Sequence, residues 1–253
     1  MDLIRYNCYL NLMYISGDNP CFSCIYHNPK KIRDIFINIE KKDLYIQIIK
    51  DNKLDKLTKF LTKKELSLIN KEDKRNSNNI IIRRDKYEPS ELSTIVTPRL
   101  SNSLIIVVDQ LTDQNNLGNI MRTSLLLGVD GIILPEHSSA PITSATSSTS
   151  SGAIEIIKFH ISKNLSRTIE VLKEKGYWIY SLDMKGEKID KNFYFDKRSV
   201  LIIGSEGKGI RKNIQDKSDF KISLHQQTYK GIDSYNAANS LAMAAHHYKL
   251  NFS

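Results

Sequence analysis

Four short apolar runs punctuate the chain after residue 100: Leu104-Ile105-Ile106-Val107-Val108, Gly131-Ile132-Ile133-Leu134, Trp178-Ile179-Tyr180-Ser181-Leu182 and Val200-Leu201-Ile202-Ile203. None alternates regularly with polar residues, so both faces of each would be buried, the pattern of a parallel strand lying between helices. Helical spacing fills the intervals. One periodic stretch follows Asn116 as far as Leu127, a second opens at Ser162 and ends near Gly176, and a last one runs from about Ser234 to Lys249. Strand–helix alternation of this kind predicts an α/β domain on a mostly parallel sheet with helices on both faces. Residues 138–151, ten of fourteen of them Ser or Thr, have the composition of a linker. They lie between two strands and include Thr143, a good helix cap, and so are read as a short helix with flanking loops.

Before residue 100 the pattern is shorter-ranged. Residues 32–38 read as a strand, 42–51 as an amphipathic helix, Thr62-Lys63-Lys64-Glu65 as a capping-box helix start, and 79–83 as a strand. This is a small α/β module of about 75 residues, within the usual size of a domain. Residues 86–102, with Pro89 and Pro98, read as a linker, which divides the chain into 1–85, 86–102 and 103–253. Ten of the eleven glycines lie after residue 117, so tight backbone geometry is concentrated in the second part.

Composition narrows the class. With 253 residues, 40% hydrophobic and 26% charged, the chain can bury a core, and disorder and collagen-like repetition are excluded. No run reaches the ~18 to 20 apolar residues of a membrane helix, and the start lacks the basic and apolar regions of a signal peptide. A soluble, unsecreted, cytoplasmic protein is expected. The net charge is +9; residues 1–100 hold 19 bases and 13 acids (+6), the remainder 18 and 15 (+3). The first part is therefore the better candidate for a phosphate-facing surface, although runs such as residues 71–76 are more often just a solvated face. Three cysteines, Cys8, Cys21 and Cys24, are too few for a disulfide framework and imply a reducing compartment. Cys21 and Cys24 with His27 have a metal-like look. A closed zinc site needs four ligands and no second Cys pair exists, so burial in a core is the expectation and no metal is expected.

Three segments of the second part stand apart from the general pattern. Residues 109–123, Asp109-Gln110-Leu111-Thr112-Asp113-Gln114-Asn115-Asn116-Leu117-Gly118-Asn119-Ile120-Met121-Arg122-Thr123, follow a strand at the end where open sheets place ligands. Asn116 is expected to cap the helix, with Arg122 six residues on; a cap and a helix-surface Arg need no function in themselves. Gly204-Ser205-Glu206-Gly207-Lys208-Gly209 also follows a strand but fits neither a dinucleotide fingerprint nor a P-loop. Tyr229-Lys230-Gly231-Ile232-Asp233-Ser234-Tyr235-Asn236 leads into the last helix, where Asp233 or Ser234 can act as cap.

Taken in order, Asn116-Leu117-Gly118 with Arg122-Thr123, then residues 204–209, then Ser234-Tyr235-Asn236, resemble the three motifs of the SpoU/TrmH family of SPOUT RNA methyltransferases, over about residues 103–249. Residues from about 15 to 85 resemble more weakly the small substrate-binding domain of the ribosomal-RNA guanosine 2′-O-methyltransferase branch, with Tyr14-Ile15-Ser16-Gly17 at its opening and Asn79-Ile80-Ile81-Ile82-Arg83 as its closing strand. The chain departs from the family at Gln114, where Pro is usual, at Tyr235, where Leu is usual, and at His225-Gln226, where a Pro-Met pair is usual.

The resemblance implies a trefoil-knotted C-terminal α/β domain, an exception to the rule that chains do not thread loops, and a homodimer formed by it. It implies S-adenosylmethionine as cofactor, cradled near Gly204, Leu224 and Tyr235, and an active site containing Asn116, Arg122, Glu206, Ser234 and Asn236. Guanidinium stays protonated in almost any protein setting, so Arg122 is expected to hold a phosphate as a cation and ease formation of the alkoxide. The implied reaction is methyl transfer to a ribose 2′-hydroxyl of structured RNA, foremost a guanosine of 23S ribosomal RNA, with residues 1–85 contacting RNA. Transfer RNA is the alternative substrate, and a non-catalytic RNA-binding or ribosome-assembly protein on the same fold is the alternative class.

Overall fold

The computed structural model describes residues 11–69, 79–96, 102–227, 229–230 and 234–252. Cys8, the polar run 71–76, Gly231 and Asp233 lie outside these. In chain order the elements are β1 (Leu12–Ser16), α1 (Asp18–His27), β2 (Ile32–Asn38), α2 (Lys42–Asp51), β3 (Thr58–Leu61), α3 (Lys63–Ile69) and β4 (Ile80–Asp85). There follow α4 (Leu92–Ile95), β5 (Ser103–Val108), α5 (Gln114–Leu126), β6 (Gly131–Pro135), α6 (Ser144–Thr149), β7 (Phe159–Ser162) and α7 (Leu165–Glu174). The last are β8 (Trp178–Lys188), β9 (Arg198–Ile203), α8 (Lys212–Gln215), β10 (Phe220–Ser223) and α9 (Ala237–Asn251). They form two compact units, Met1–Glu88 with Ile142–Ile156, and Pro89–Pro141 with Ile157–Ser253.

The first unit is built on a four-stranded mixed sheet, β1-β4-β2-β3. Ile15, Ile35, Ile37, Ile80 and Ile82 point from its strands into one core with Cys21, Cys24 and Ile25 of α1 and Tyr45 and Ile49 of α2. Each such side chain contributes roughly 1.5–3 kcal/mol by leaving water. The α3 start has the expected reciprocal cap: Glu65 accepts from the Thr62 amide at 2.8 Å, and the Glu65 amide donates to Thr62 Oγ1 at 3.3 Å. Cys21 and Cys24 are buried thiols, as their apolar surroundings suggest.

Residues 142–156 are far in sequence from the rest of this unit. Thr143 caps α6 through a capping box with Thr146, in agreement with the short helix expected. Beyond it Gly152 takes φ +83°, and a Cβ there would sit 2.6 Å from that of Ser23; only glycine permits both the turn and the approach. Glu155, buried, accepts from Asn28 at 2.9 Å and Tyr87 at 2.7 Å and pairs with the Arg84 guanidinium.

Among the described residues the second unit carries six strands, all parallel, in the order β10-β8-β9-β5-β6-β7. Every residue of β5 is buried, as its unbroken apolar run requires. One face packs Ile105, Val107, Ile133, Ile179, Val200 and Ile202 against Ile169 and Leu172 of α7; α5 packs against α9, which lies on β9.

The structure corrects several local expectations. The cap of α5 is Asp113, whose carboxylate accepts the Asn115 amide at 3.0 Å, rather than Asn116. Asn164 caps α7, while Ser162 ends β7. Asn236, not Ser234, caps α9. In each case several capping residues stand close together, and the one held in extended geometry at the helix boundary takes the role. Residues 92–95, expected in a linker, form a helical turn whose Ile95 is fully buried in the second core. β3, β7 and β10, each four residues long, are strands that periodicity does not reveal. Among the described residues no helix is long and apolar enough to cross a membrane.

Candidate active site

Because all six strands of the second unit run parallel, the loops after β5, β6, β7 and β9 emerge at one edge of the sheet, where open α/β folds bind ligands. After β5, Asn116 stands in the first turn of α5 and is buried. After β9, the chain turns tightly through residues 204–210: the Gly209 amide donates to the Ser205 carbonyl at 2.8 Å and Gly209 takes φ +65°. Glu206 is exposed in that turn. Asn236 stands at the start of α9.

These three side chains, distant in sequence, meet. Asn116 Nδ2 donates to Glu206 Oε1 at 3.1 Å. Asn236 Nδ2 donates to the same Oε1 at 2.6 Å and to Asn116 Oδ1 at 2.8 Å. Asn236 Oδ1 accepts the Ala238 amide at 2.9 Å, which fixes the orientation of its amide group. A carboxylate held by two amides is fixed in position, and bonds to a charged acceptor are the stronger kind.

A cavity of about 620 Å³ opens beside this cluster, lined by Leu182 and Asp183 of β8, Ile203 and the 204–210 turn, Leu224, Ser234 and Tyr235. Of the residues singled out in the sequence, Gly204, Glu206, Leu224, Ser234 and Tyr235 line it directly, and Asn116 and Asn236 reach it through Glu206. Arg122 does not. It is exposed on α5, six residues beyond Asn116 and so about 9 Å further along the axis, and is not part of the lining. The need for glycine at 204 has a nearer cause than a ligand: a Cβ there would lie 2.1 Å from the Gly209 carbonyl carbon and 2.4 Å from the Ile210 amide nitrogen. The turn folds back on its own first residue.

Asp109 and Arg211 do not stand out in the sequence. The Asp109 side chain is fully buried at the end of β5; its Oδ2 accepts the Arg211 backbone N–H at 2.8 Å and its Oδ1 accepts Nε at 2.9 Å and faces Nη2 at 2.6 Å. This pair ties the far end of the Gly-rich turn to the neighbouring strand. The one available signal is an acidic residue directly after five apolar positions, which also fits an ordinary turn.

Residues 103–246 match the SpoU rRNA Methylase family. A protein of Borreliella burgdorferi described as an uncharacterized tRNA/rRNA methyltransferase is 34% identical over 210 residues, 83% of this chain and 89% of that one. Among solved structures, the SpoU methyltransferase AviRb from Streptomyces viridochromogenes, in complex with AdoMet, superposes with a TM-score of 0.78 at 16% identity, covering 96% of this chain and 91% of that one. An AdoMet-bound rRNA methyltransferase from Sinorhizobium meliloti does so with a TM-score of 0.76 at 18% identity, covering 98% and 91%. At these identities the likeness to the solved structures is one of fold.

Proposed function

The chain belongs to the SpoU rRNA methylase family, and we propose that it is the ribose 2′-hydroxyl of a guanosine in 23S ribosomal RNA that it methylates. At the coarser level it is an S-adenosylmethionine-dependent tRNA/rRNA methyltransferase with the α/β fold of SpoU enzymes. The observation that supports methyl transfer to a hydroxyl is the convergence of Asn116, Glu206 and Asn236 at the rim of the 620 Å³ cavity, and the choice of a 23S guanosine follows the resemblance of residues 15 to 85 to that branch of the family.

The cavity suits the cofactor. Its apolar walls, Leu182, Ile203 and Leu224, match an adenosine, and Glu206 and Asp183 offer negative charge to a cationic sulfur. Bound there, S-adenosylmethionine supplies an already activated methyl group. Gly204, Leu224 and Tyr235 would hold it. A ribose hydroxyl is a weak nucleophile, so this chain's contribution is to orient it and to accept its proton. Oε1 of Glu206 is occupied by the two amides, which leaves Oε2 to accept the hydroxyl proton. Asn116 and Asn236 hold that carboxylate in place, and Ser234 is also part of the cavity lining. Arg122, exposed on α5, acts as a cation toward an RNA phosphate arriving from outside the cavity.

The basic first part supplies further RNA contacts, the second unit carries the trefoil knot, and the protein works as a homodimer through that unit. Transfer RNA is the second reading, favoured by the tRNA/rRNA description of the 34% identical relative. Mapping 2′-O-methyl positions in total RNA with and without the gene tests the assignment: loss of one 23S guanosine mark supports it, and loss of a transfer-RNA mark instead moves the substrate.

A further inference from the structure

A second hollow, of about 160 Å³, opens at the same edge of the parallel sheet, on the other side of β5 from the cofactor cavity. Glu136 and His137 follow β6, Ser162 and Lys163 end and follow β7, and Arg211 and Asn213 are also among its lining residues. It is small for a base or a cofactor, since sites for such ligands run to about 300 Å³ and above.

Its chemistry is set by Arg211. The guanidinium is held along one edge by Asp109, a carboxylate with no solvent exposure, while Arg211 as a whole keeps a side chain 38% exposed and is among the residues that line the hollow. A guanidinium carries five N–H donors. With Nε and Nη2 committed to Asp109, the remaining donors are presented in a fixed plane, and an anion that meets them does not have to order the side chain. Lys163, exposed and also part of the lining, makes no ion pair among the described residues. Glu136, the one acid of the lining, is 42% exposed and stands 3.7 Å from His137.

We propose that this hollow is a subsite for a backbone phosphate of the RNA strand whose ribose is presented to Glu206. The proposal rests on the RNA-methyltransferase reading above. It adds that the strand crosses the sheet edge from β9 over β5 to β6 and β7, gripped by Arg211 and Lys163. Arg211 thereby couples two tasks, since the residue that pins the Gly-rich turn also touches the RNA.

The test is RNA binding by the full chain across a salt series. Fluorescently labelled, unmodified 23S ribosomal-RNA transcript and unfractionated transfer RNA serve as probes, with wild type, Lys163→Gln and Asn213→Asp, and inorganic phosphate is titrated as competitor. Lys163→Gln is expected to weaken RNA binding about five- to tenfold at 50 mM salt and to make the slope of log affinity against log salt shallower by roughly 0.7 to 0.9, the value of one lost phosphate contact. Asn213→Asp, which sets a negative charge at the hollow, should weaken binding at least as much, and neither variant should alter affinity for S-adenosylmethionine. Inorganic phosphate should compete only at millimolar levels; tight, saturable phosphate binding that leaves RNA affinity untouched would make this a free-anion site and overturn the proposal. Unchanged RNA affinity and salt slope in folded, cofactor-binding variants overturn it while leaving the methyltransferase reading standing. No RNA binding by wild type overturns both, whereas variant-sensitive binding with no ribose methylation supports the subsite and removes the reaction.

Discussion

Asn236 serves two purposes with one side chain: its oxygen caps α9 and its nitrogen holds Glu206 and Asn116. The two separate by substitution. Asn236→Ala removes both, and should cost about 1 kcal/mol of stability for the lost cap together with a hundredfold or greater loss of methyl transfer. Asn236→Asp keeps a capping oxygen but loses the donor and sets a second carboxylate against Glu206; a melting temperature near wild type with equally poor turnover is expected. Turnover near wild type in Asn236→Asp would show that the amide does not matter to the reaction. Gly204→Ala should abolish cofactor binding in calorimetry, because the added methyl meets the backbone of Gly209 and forces the turn open. Full affinity in that variant would contradict the role given to the turn. Cys24 offers a pH test. Burial first, then the charge of Glu155, pushes its thiol up to about 12, and burial raises Cys21 as well. A thiol whose folded value is raised contributes stability that is complete below its unfolded value near ~8.5 and is lost as pH rises from there toward the folded value. Denaturant midpoints should therefore fall between pH 9 and 12, and Cys24→Ser, which lacks the titrating thiol, should flatten that fall.

At the scale of elements, the segment 142–156 is the least expected part of the fold. It leaves the second unit after Pro141 and belongs with the first, anchored by Glu155 on Arg84, Tyr87 and Asn28. Removing one partner of a buried pair strands the other charge, at a cost of about 3–5 kcal/mol. Glu155→Gln should accordingly lower the melting temperature by several degrees or more, whereas Glu65→Gln, at an exposed cap, should move it little; equal effects would remove the segment's anchoring role. The difference in what can be read from sequence follows from range. β5, β6 and β9 are legible because an unbroken apolar run needs two covering layers, and α6 because Thr143 and Thr146 make their cap within four residues. β7 and β10 are not, since four residues with polar interruptions carry too little pattern. Arg84 with Glu155 and Asp109 with Arg211 lie 71 and 102 residues apart, and no local periodicity encodes such pairings. Asn116, Glu206 and Asn236 could be singled out together through resemblance alone; the structure supplies the hydrogen bonds that join them.

At the scale of the whole molecule, the charge asymmetry and the shared segment bear on how the chain divides. Residues 1–100 carry +6 of the +9 charge, so deletion of the first part should flatten the fall of RNA affinity with salt. A fragment of residues 103–253 also loses the partners of Glu155, Ser147 and Gly152. It should be cleaved by protease within 142–156, where the full chain resists; equal resistance would show that the segment is held by other means. The atom that receives the methyl group can be identified directly. The direct measurement is transfer from isotopically labelled S-adenosylmethionine to unmodified 23S ribosomal RNA by wild-type protein and by Asn116→Ala, followed by digestion to nucleosides and mass spectrometry. The expected result is label in 2′-O-methylguanosine with wild type and at least a hundredfold less with Asn116→Ala. Label on a base, or wild-type protein that binds the cofactor and transfers nothing to RNA, would contradict it.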